Sequence, residues 1–155
     1  MFKLKTISVL LTVLILLSHC GYTAQYAKKK DLEFSIQITN LDGDRDFNNS
    51  LQSKLNPYFS EAKAEIKNFK ISANSKYEKN TTLKDSAGAP SEYELKITVN
   101  FGINVDGTIK NITLKDTFNM KKIDDSFEES KYEKTIKTNF AEIIKEELIF
   151  YLLRM

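Results

Sequence analysis

The sequence predicts an α+β protein, a two-layer sandwich in which a mixed four-stranded sheet carries two helices on one face. Three observations lead to this fold class. Four segments alternate apolar and polar residues, as half-buried strands do, and two segments repeat apolar residues every three or four positions, as helices do. The pair Asp106-Gly107 separates two of the alternating segments and is typical of a tight hairpin. The predicted order is therefore β-α-β-β-β-α.

The first strand and the first helix are predicted from a change of period. Apolar residues of the strand LEFSIQI share one side, at Leu32, Phe34, Ile36 and Ile38. Apolar residues of the following segment share one helical face, at Phe47, Leu51, Leu55 and Tyr58. Asp44 is the predicted N-cap of this helix, and Pro57 marks either its end or a final kink.

The second, third and fourth strands form a predicted meander. The second strand alternates weakly, at Phe69, Ile71, Ala73 and Tyr77. The third alternates without a break, at Tyr93, Leu95, Ile97, Val99, Phe101, Ile103 and Val105. A two-residue turn at Asp106-Gly107 pairs Val105 with Thr108, which fixes the register of the hairpin. The cross-strand pairs are then Phe101 with Ile112, Val99 with Leu114, Leu95 with Phe118, and Tyr93 with Met120.

A long helix is predicted at the C-terminal end. Ser126 with Glu129 and Ser130 with Glu133 both have the capping-box spacing, so the predicted start is open by one turn. The predicted buried stripe is Tyr132, Ile136, Phe140, Ile143 and Ile144. The last turns, LIFYLL, are apolar all round, which indicates either a helix end buried in the core or a contact with a partner.

The first 19 residues have the features of an export signal. Lys3 and Lys5 precede an apolar run from Ile7 to Leu17, which is too short to span a bilayer and fits the hydrophobic region of a signal peptide. The sequence Leu17-Ser18-His19-Cys20-Gly21 resembles a bacterial lipobox, although His19 stands where a small residue is usual. The resemblance implies lipidation of Cys20, with an uncleaved signal anchor as the alternative.

This interpretation divides the chain into residues 1–19, a signal peptide, residues 20–31, a lipidated tether, and residues 32–155, a single sandwich domain. It also limits the chemistry of the mature chain. The single His of the sequence leaves with the signal, and the single Cys carries the lipid, so catalytic triads, Cys-His nucleophiles and Cys/His zinc sites lack their residues. We therefore predict no catalytic residue, no metal site and no cofactor besides the covalent lipid on Cys20.

The charge of the mature chain argues against a nucleic-acid partner. Two of the 23 Lys and Arg residues lie in the signal, which leaves 21 basic against 21 acidic residues. Nucleic-acid binding needs a strong basic excess on one face. Asp42, Asp44 and Asp46 resemble the start of a calcium loop, but the Gly and Glu that its spacing requires are replaced by Phe47 and Ser53. These acids are interpreted as the entry to the first helix.

The segment KDSAGAPS, residues 84–91, joins the second and third strands and is long for a hairpin loop, which makes it a candidate recognition loop. The strand entry KDSAGAPSEYELKITVNF before the Asp-Gly turn, the CGY after the signal, and SKYEKTIKTNFAEIIKEEL near the C-terminus carry a family resemblance. With the element order, they resemble the lipopolysaccharide-assembly lipoproteins (LptE) of Gram-negative outer membranes.

That resemblance implies a structural role in which the protein itself catalyses no reaction. Such lipoproteins plug the lumen of a large outer-membrane β-barrel, LptD, and the two proteins together assemble lipopolysaccharide and insert it into the outer leaflet. The implied location is the periplasmic side of the outer membrane, for which Gly21 suits the sorting rule, and lipopolysaccharide itself is a possible ligand. The predicted contacts with the barrel are Lys84, Asp85, Gly88 and Pro90.

Two other classes of function stay open from the sequence. One is a periplasm-facing lipoprotein that serves as an adaptor or binding module of another envelope machine. The other is an enzyme that uses Ser, Lys, Tyr or carboxylate groups alone, which would need a concave pocket and a strongly shifted pKa.

Overall fold

The four strands form one sheet in the order β1-β2-β3-β4 in the computed structural model, which describes residues 34–59 and 66–155. The elements are β1 Phe34–Gly43, α1 Arg45–Leu55, a 3₁₀ turn Asn56–Tyr58, β2 Lys67–Lys84, β3 Pro90–Val105, β4 Thr108–Lys121 and α2 Ser126–Leu152. Strand β1 pairs with β2 in parallel, and the other two pairings are antiparallel. The predicted α+β class and its element order are confirmed. The signal, Cys20, the tether and Leu32 lie outside the described residues.

The start and end of α1 follow the sequence prediction. Asp44 caps the helix, because its Oδ1 accepts the backbone N–H of Phe47 at 2.9 Å. The helix ends at Leu55, one residue before a 3₁₀ turn that contains Pro57. Tyr58 lies in that turn, where its ring stacks on Phe34 with 5.9 Å between ring centroids.

A polar cluster holds the tight turn between β1 and α1. Gly43 has a φ of +100°, and a Cβ at this position would lie 1.8 Å from the carbonyl oxygen of Ser75. The Ser75 hydroxyl donates to Oδ1 of Asn48 at 2.8 Å and accepts the N–H of Asp44 at 3.0 Å. The side-chain amide of Asn48 donates to the Asp42 carbonyl at 2.9 Å. These bonds satisfy buried polar groups that would otherwise destabilise the turn.

The β3–β4 hairpin has the register predicted from the sequence. Asp106 and Gly107 have φ values of +51° and +81°, as a type I′ turn requires. All five predicted pairs are confirmed, namely Val105–Thr108, Phe101–Ile112, Val99–Leu114, Leu95–Phe118 and Tyr93–Met120. The core side of β3 is fully buried at Leu95, Ile97, Val99, Phe101 and Ile103.

Asp125, and neither of the predicted serines, is the N-cap of α2. Its Oδ1 accepts the N–H groups of Phe127 at 2.8 Å and Glu128 at 3.0 Å. The prediction that Ser126 or Ser130 starts the helix with a capping box is therefore wrong. The reason is that an Asp one residue earlier satisfies the same free N–H groups.

The buried stripe of α2 also differs from the prediction at two positions. Its buried apolar residues are Ile136, Phe140, Ala141, Ile144, Leu148 and Leu152. Tyr132 and Ile143 were predicted in this stripe but are 43 % and 40 % exposed, because they lie on the flank of the helix, where Tyr132 contacts Phe118 of the edge strand β4. The end of α2 is buried on one side, while Phe150 and Leu153 are exposed on the other.

Candidate functional site

The four residues predicted to contact a partner lie together at the tip of the β2–β3 hairpin. Lys84 and Pro90 are the last paired residues of the two strands, and the connection between them spans residues 85–89. All of these residues are exposed. The loop is shorter than the sequence predicted because β2 continues through register shifts near Leu83.

Asp85 stabilises this tip through hydrogen bonds to the backbone of its own loop. Its Oδ1 accepts the N–H groups of Ala87 at 2.9 Å and Ala89 at 2.8 Å, and its carbonyl accepts the N–H of Gly88 at 3.0 Å. Gly88 supplies the positive φ of +84° that closes the turn. One carboxylate oxygen of Asp85 is therefore engaged in the loop, and the side chain of Lys84 beside it is exposed to solvent.

The face of the sheet opposite the helices is a second candidate surface, which the sequence reasoning did not single out. Its central rows carry amide and hydroxyl side chains, at Ser72, Asn74, Thr98, Asn100, Asn111 and Thr113. The Thr113 hydroxyl donates to Oδ1 of Asn100 at 2.7 Å across β3 and β4. The alternation of apolar and polar residues that predicts the core also assigns these positions to the opposite face of the sheet. The sequence therefore contained the information needed to predict this polar face.

An ionic network joins α2 to the core side of the sheet. Lys79 of β2 donates to Glu129 and Glu133, both at 2.9 Å, and its Nζ lies 4.4 Å from the ring centroid of Tyr93. Glu129 also accepts Lys122 Nζ at 3.1 Å and the N–H of Ile123 at 3.0 Å. Every charge in the network has an opposite charge beside it, which is the condition for burying such groups.

The pKa values in this network follow from burial and pairing. Burial opposes ionisation of Glu129, but the hydrogen bonds from Lys79, Ile123 and Lys122 outweigh it and lower its pKa to about 2. Burial likewise opposes the charge of Lys79, while Glu133 and Glu129 outweigh that effect and raise the pKa of Lys79. Both shifts stabilise the ionised forms of Glu129 and Lys79, so this ion pair ties α2 to β2.

Tyr77 is a half-buried tyrosine beside this network, and its hydroxyl oxygen is buried. Among the residues that the structure describes, no group meets the geometry of a hydrogen bond to its hydroxyl, and Lys137 Nζ lies 4.1 Å from its ring centroid. Burial together with the nearby carboxylates of Glu133 and Asp44 raises the pKa of Tyr77 far above its ordinary value. The phenol is therefore held in its neutral form, and its ring face packs against the ammonium of Lys137.

Two open depressions in the described residues are lined mainly by polar side chains. One depression of about 330 Å³ lies between α1 and α2 and is lined by residues that include Asp46, Ser50, Lys54 and Lys134. Within residues 34–59 and 66–155 no three His, Cys, Asp or Glu side chains are grouped as metal ligands. None of the helices in those ranges is long and apolar enough to cross a membrane.

The described residues thus define a class, a two-layer α/β sandwich with a solvated polar sheet face and an exposed hairpin tip. No protein-family model and no curated protein sequence matches the chain. Among solved structures, rare lipoprotein B from Shewanella oneidensis is similar, with a TM-score of 0.56 and 15 % sequence identity over 78 % of this chain and 96 % of that one. This similarity shows that the two proteins share a fold, and it confirms at the level of the fold the resemblance predicted from the sequence.

Two further lipoproteins give weaker matches. A minor lipoprotein from Acinetobacter baumannii is 15 % identical, with a TM-score of 0.47, over 74 % of this chain and 87 % of that chain. Lipoprotein B from Nitrosomonas europaea is also 15 % identical, with the same TM-score of 0.47, over 77 % of this chain and 86 % of that chain.

Proposed function

We propose that this protein is a lipid-anchored outer-membrane lipoprotein that serves as the plug subunit of a lipopolysaccharide-assembly translocon. Its partner is a large LptD-like β-barrel, with which it helps to assemble lipopolysaccharide and insert it into the outer leaflet. Lipidation of Cys20 supplies the anchor, and the domain lies on the periplasmic side. The plug itself carries out no reaction.

The observation that carries this proposal is the shared fold with rare lipoprotein B, a homologue of LptE. The match extends over 96 % of that lipoprotein, so the two domains correspond from end to end of the solved structure. The lipobox-like sequence before Cys20 adds support from a separate part of the chain.

The surface of the described domain suits a partner with a wet interior. The rows of Asn, Ser and Thr on the polar sheet face offer uncharged donors and acceptors, which bind other polar surfaces directly or through water. The hairpin tip projects Lys84 from a loop that Asp85 keeps rigid. We assign the tip to contacts inside the barrel, with acidic groups as the partners of Lys84.

The test of this proposal is co-purification of the tagged full-length chain from detergent-solubilised outer membranes after crosslinking in cells. The expected result is a one-to-one complex with a large β-barrel, identified by mass spectrometry. Recovery of the lipoprotein with no barrel would overturn the proposal and favour the adaptor of another envelope machine.

A photocrosslinking amino acid at Lys84 tests the assignment of the hairpin tip. It is expected to form an adduct with the barrel, and the matched position is Lys134, which is exposed on α2. Adducts from Lys134 with none from Lys84 would contradict the assignment of the tip while leaving the complex intact.

A further inference from the structure

Strand β1 begins at the end of the sheet where the β3–β4 turn lies. One row of directly paired residues crosses all four strands near this turn, at Gln37, Lys70, Asn104 and Ile109. Phe34 precedes Gln37 by three residues, so the chain enters β1 beside the turn. We call this end of the domain the entry end, and the β2–β3 hairpin tip lies at the opposite end of the sheet.

The last turns of α2 also lie at the entry end. Near the start of this helix, Glu129 pairs with Lys79, which lies far along β2 toward the hairpin tip. Further on, Glu142 pairs with Lys54 at 2.6 Å, one residue before α1 ends and leads into the 3₁₀ turn that packs on the start of β1. Helix α2 therefore runs toward the entry end, and it extends about 15 Å past Glu142.

Three large apolar side chains at the entry end are exposed over most of their surface. Ile109 is 66 % exposed on β4, and Phe150 and Leu153 are 62 % and 59 % exposed at the end of α2. Phe150 and Leu153 are three residues apart, so they are neighbours on the helix surface. Exposed apolar groups gathered at one end of a domain indicate contact with another surface.

The charges around these side chains are mixed. Exposed residues of both signs occur at this end, for example Lys70, Asp106, Lys110 and Glu147, so its net charge is small. Arg154 lies over Phe150, with 5.0 Å between its guanidinium carbon and the ring centroid. Long cationic side chains keep their charge among lipid phosphates while apolar neighbours enter the acyl boundary, as on surfaces that lie on a bilayer. We therefore expect the apolar side chains, and not the charge, to govern the contact.

The position of Cys20 identifies the surface that the entry end meets. Phe34 follows Cys20 by 14 residues, which reach at most about 50 Å. Phe34 is paired with Lys67, and the hairpin tip lies 17 residues further along β2, about 55 Å from the entry end. A lipid on Cys20 therefore tethers the entry end closest to the bilayer.

We propose that the entry end rests on the phospholipid leaflet into which the lipid on Cys20 inserts, with Ile109, Phe150 and Leu153 at the boundary between headgroups and acyl chains. This inference rests on the lipid anchor of the proposed function. It is compatible with the plug, because the hairpin tip assigned to the lumen is at the other end of the sheet. The entry end then lies at the periplasmic rim of the barrel.

Fluorescence quenching of the full-length lipidated chain in vesicles of phosphatidylethanolamine and phosphatidylglycerol tests this contact. An environment-sensitive fluorophore is attached through Phe150→Cys, since the thiol of Cys20 is acylated. The matched position is Phe127→Cys, which is 72 % exposed at the other end of α2, about 35 Å away. We expect the emission of the probe at 150 to shift to the blue, and nitroxide-labelled lipid to quench it about threefold more than the probe at 127.

Flotation of the vesicles reports the anchor separately. A chain that floats with equal quenching at the two positions would overturn the contact and leave the proposed function intact. A chain that does not float with the vesicles has no anchor, and the contact and the lipid-anchored function would then fail together.

Photocrosslinking in cells tests the same contact in the presence of the barrel. A photocrosslinking amino acid at Phe150 is expected to form an adduct with phospholipid, identified by mass spectrometry, whereas one at Phe127 is expected to form none. An adduct from Phe150 with the barrel or with lipopolysaccharide in place of phospholipid would overturn the proposal. The full-length chain is used in both cases, so the tether and residues 60–65 are present.

Discussion

Lys137 Nζ lies 2.7 Å from Oδ2 of Asp44, although 93 residues separate the two in sequence. The other carboxylate oxygen of Asp44 caps α1 through Phe47. The carboxylate of Asp44 therefore accepts a free N–H group at the start of α1 and also pairs with Lys137 in the middle of α2. Both side chains are largely buried, at 13 % exposure for Lys137 and 19 % for Asp44, so solvent screens their attraction weakly.

We expect Asp44→Ala to lower the free energy of unfolding by about 2–4 kcal/mol, because the helix cap is lost and Lys137 keeps a partly buried charge without this partner. Asp44→Asn is the matched variant, since an amide oxygen still caps the helix. Asp44→Asn is expected to lower the free energy of unfolding by less than Asp44→Ala does. The difference between the two variants measures the contribution of the helix cap. Urea unfolding followed by circular dichroism gives both values. Equal costs for the two variants would show that the cap contributes nothing.

Gly43→Ala is expected to prevent folding or to destabilise the protein by more than about 3 kcal/mol, because its Cβ would overlap the Ser75 carbonyl in a backbone with φ of +100°. Gly88→Ala has a similar φ of +84° with open space around the new Cβ, so its cost is that of the backbone alone, about 1 kcal/mol. Thermal unfolding of the two variants distinguishes steric overlap of the Cβ with Ser75 from the strain of the positive φ, because only Gly43→Ala has the overlap. Similar melting temperatures would contradict the close approach of Gly43 to β2.

Glu129→Gln tests the lowered pKa of the buried carboxylate. A lowered pKa means that the ionised group stabilises the fold above its ordinary pKa near 4.5, and that this contribution is lost as the pH falls toward about 2. We therefore expect the variant to be less stable than the parent by on the order of 2 kcal/mol at pH 6, with the gap closing between pH 4.5 and pH 2. Urea titrations across this range measure it. A gap that stays constant with pH would mean that Glu129 acts through packing and not through its charge.

Phe101→Ala is expected to lower the free energy of unfolding by about 3–5 kcal/mol, because the ring is 2 % exposed at the centre of the sheet and its removal leaves a cavity. Phe127→Ala removes the same ring from a site that is 72 % exposed and should change stability by less than about 0.5 kcal/mol. Denaturant midpoints of the two variants provide the comparison. A large effect at Phe127 would show that this ring is covered in solution.

The sequence predicts the sheet well where local rules act alone. The Asp-Gly turn and the unbroken alternation of β3 determine the hairpin register, because a shift by one residue would turn the apolar side chains to solvent. Asp44 and Pro57 likewise mark the ends of α1 through local backbone chemistry.

The parts that the sequence did not predict depend on contacts between distant segments. Lys79 and Glu129 are 50 residues apart, and nothing near either one indicates a buried pair. Tyr132 and Ile143 have helical spacing, but the width of the covered stripe depends on how far β4 extends beneath α2. The connection between β2 and β3 was correctly predicted, while the engagement of Asp85 within its own loop depends on the conformation of the turn.

The parallel pairing of β1 with β2 has a consequence for the order of folding. Phe34 faces Lys67, so β1 cannot pair until the chain 33 residues further on is available, whereas the two halves of the β3–β4 hairpin meet across two residues. Hairpins form in about 1–10 μs, and pairing between distant segments is slower because a longer loop must close first. The C-terminal meander is therefore expected to form early, and β1 is expected to join the sheet last.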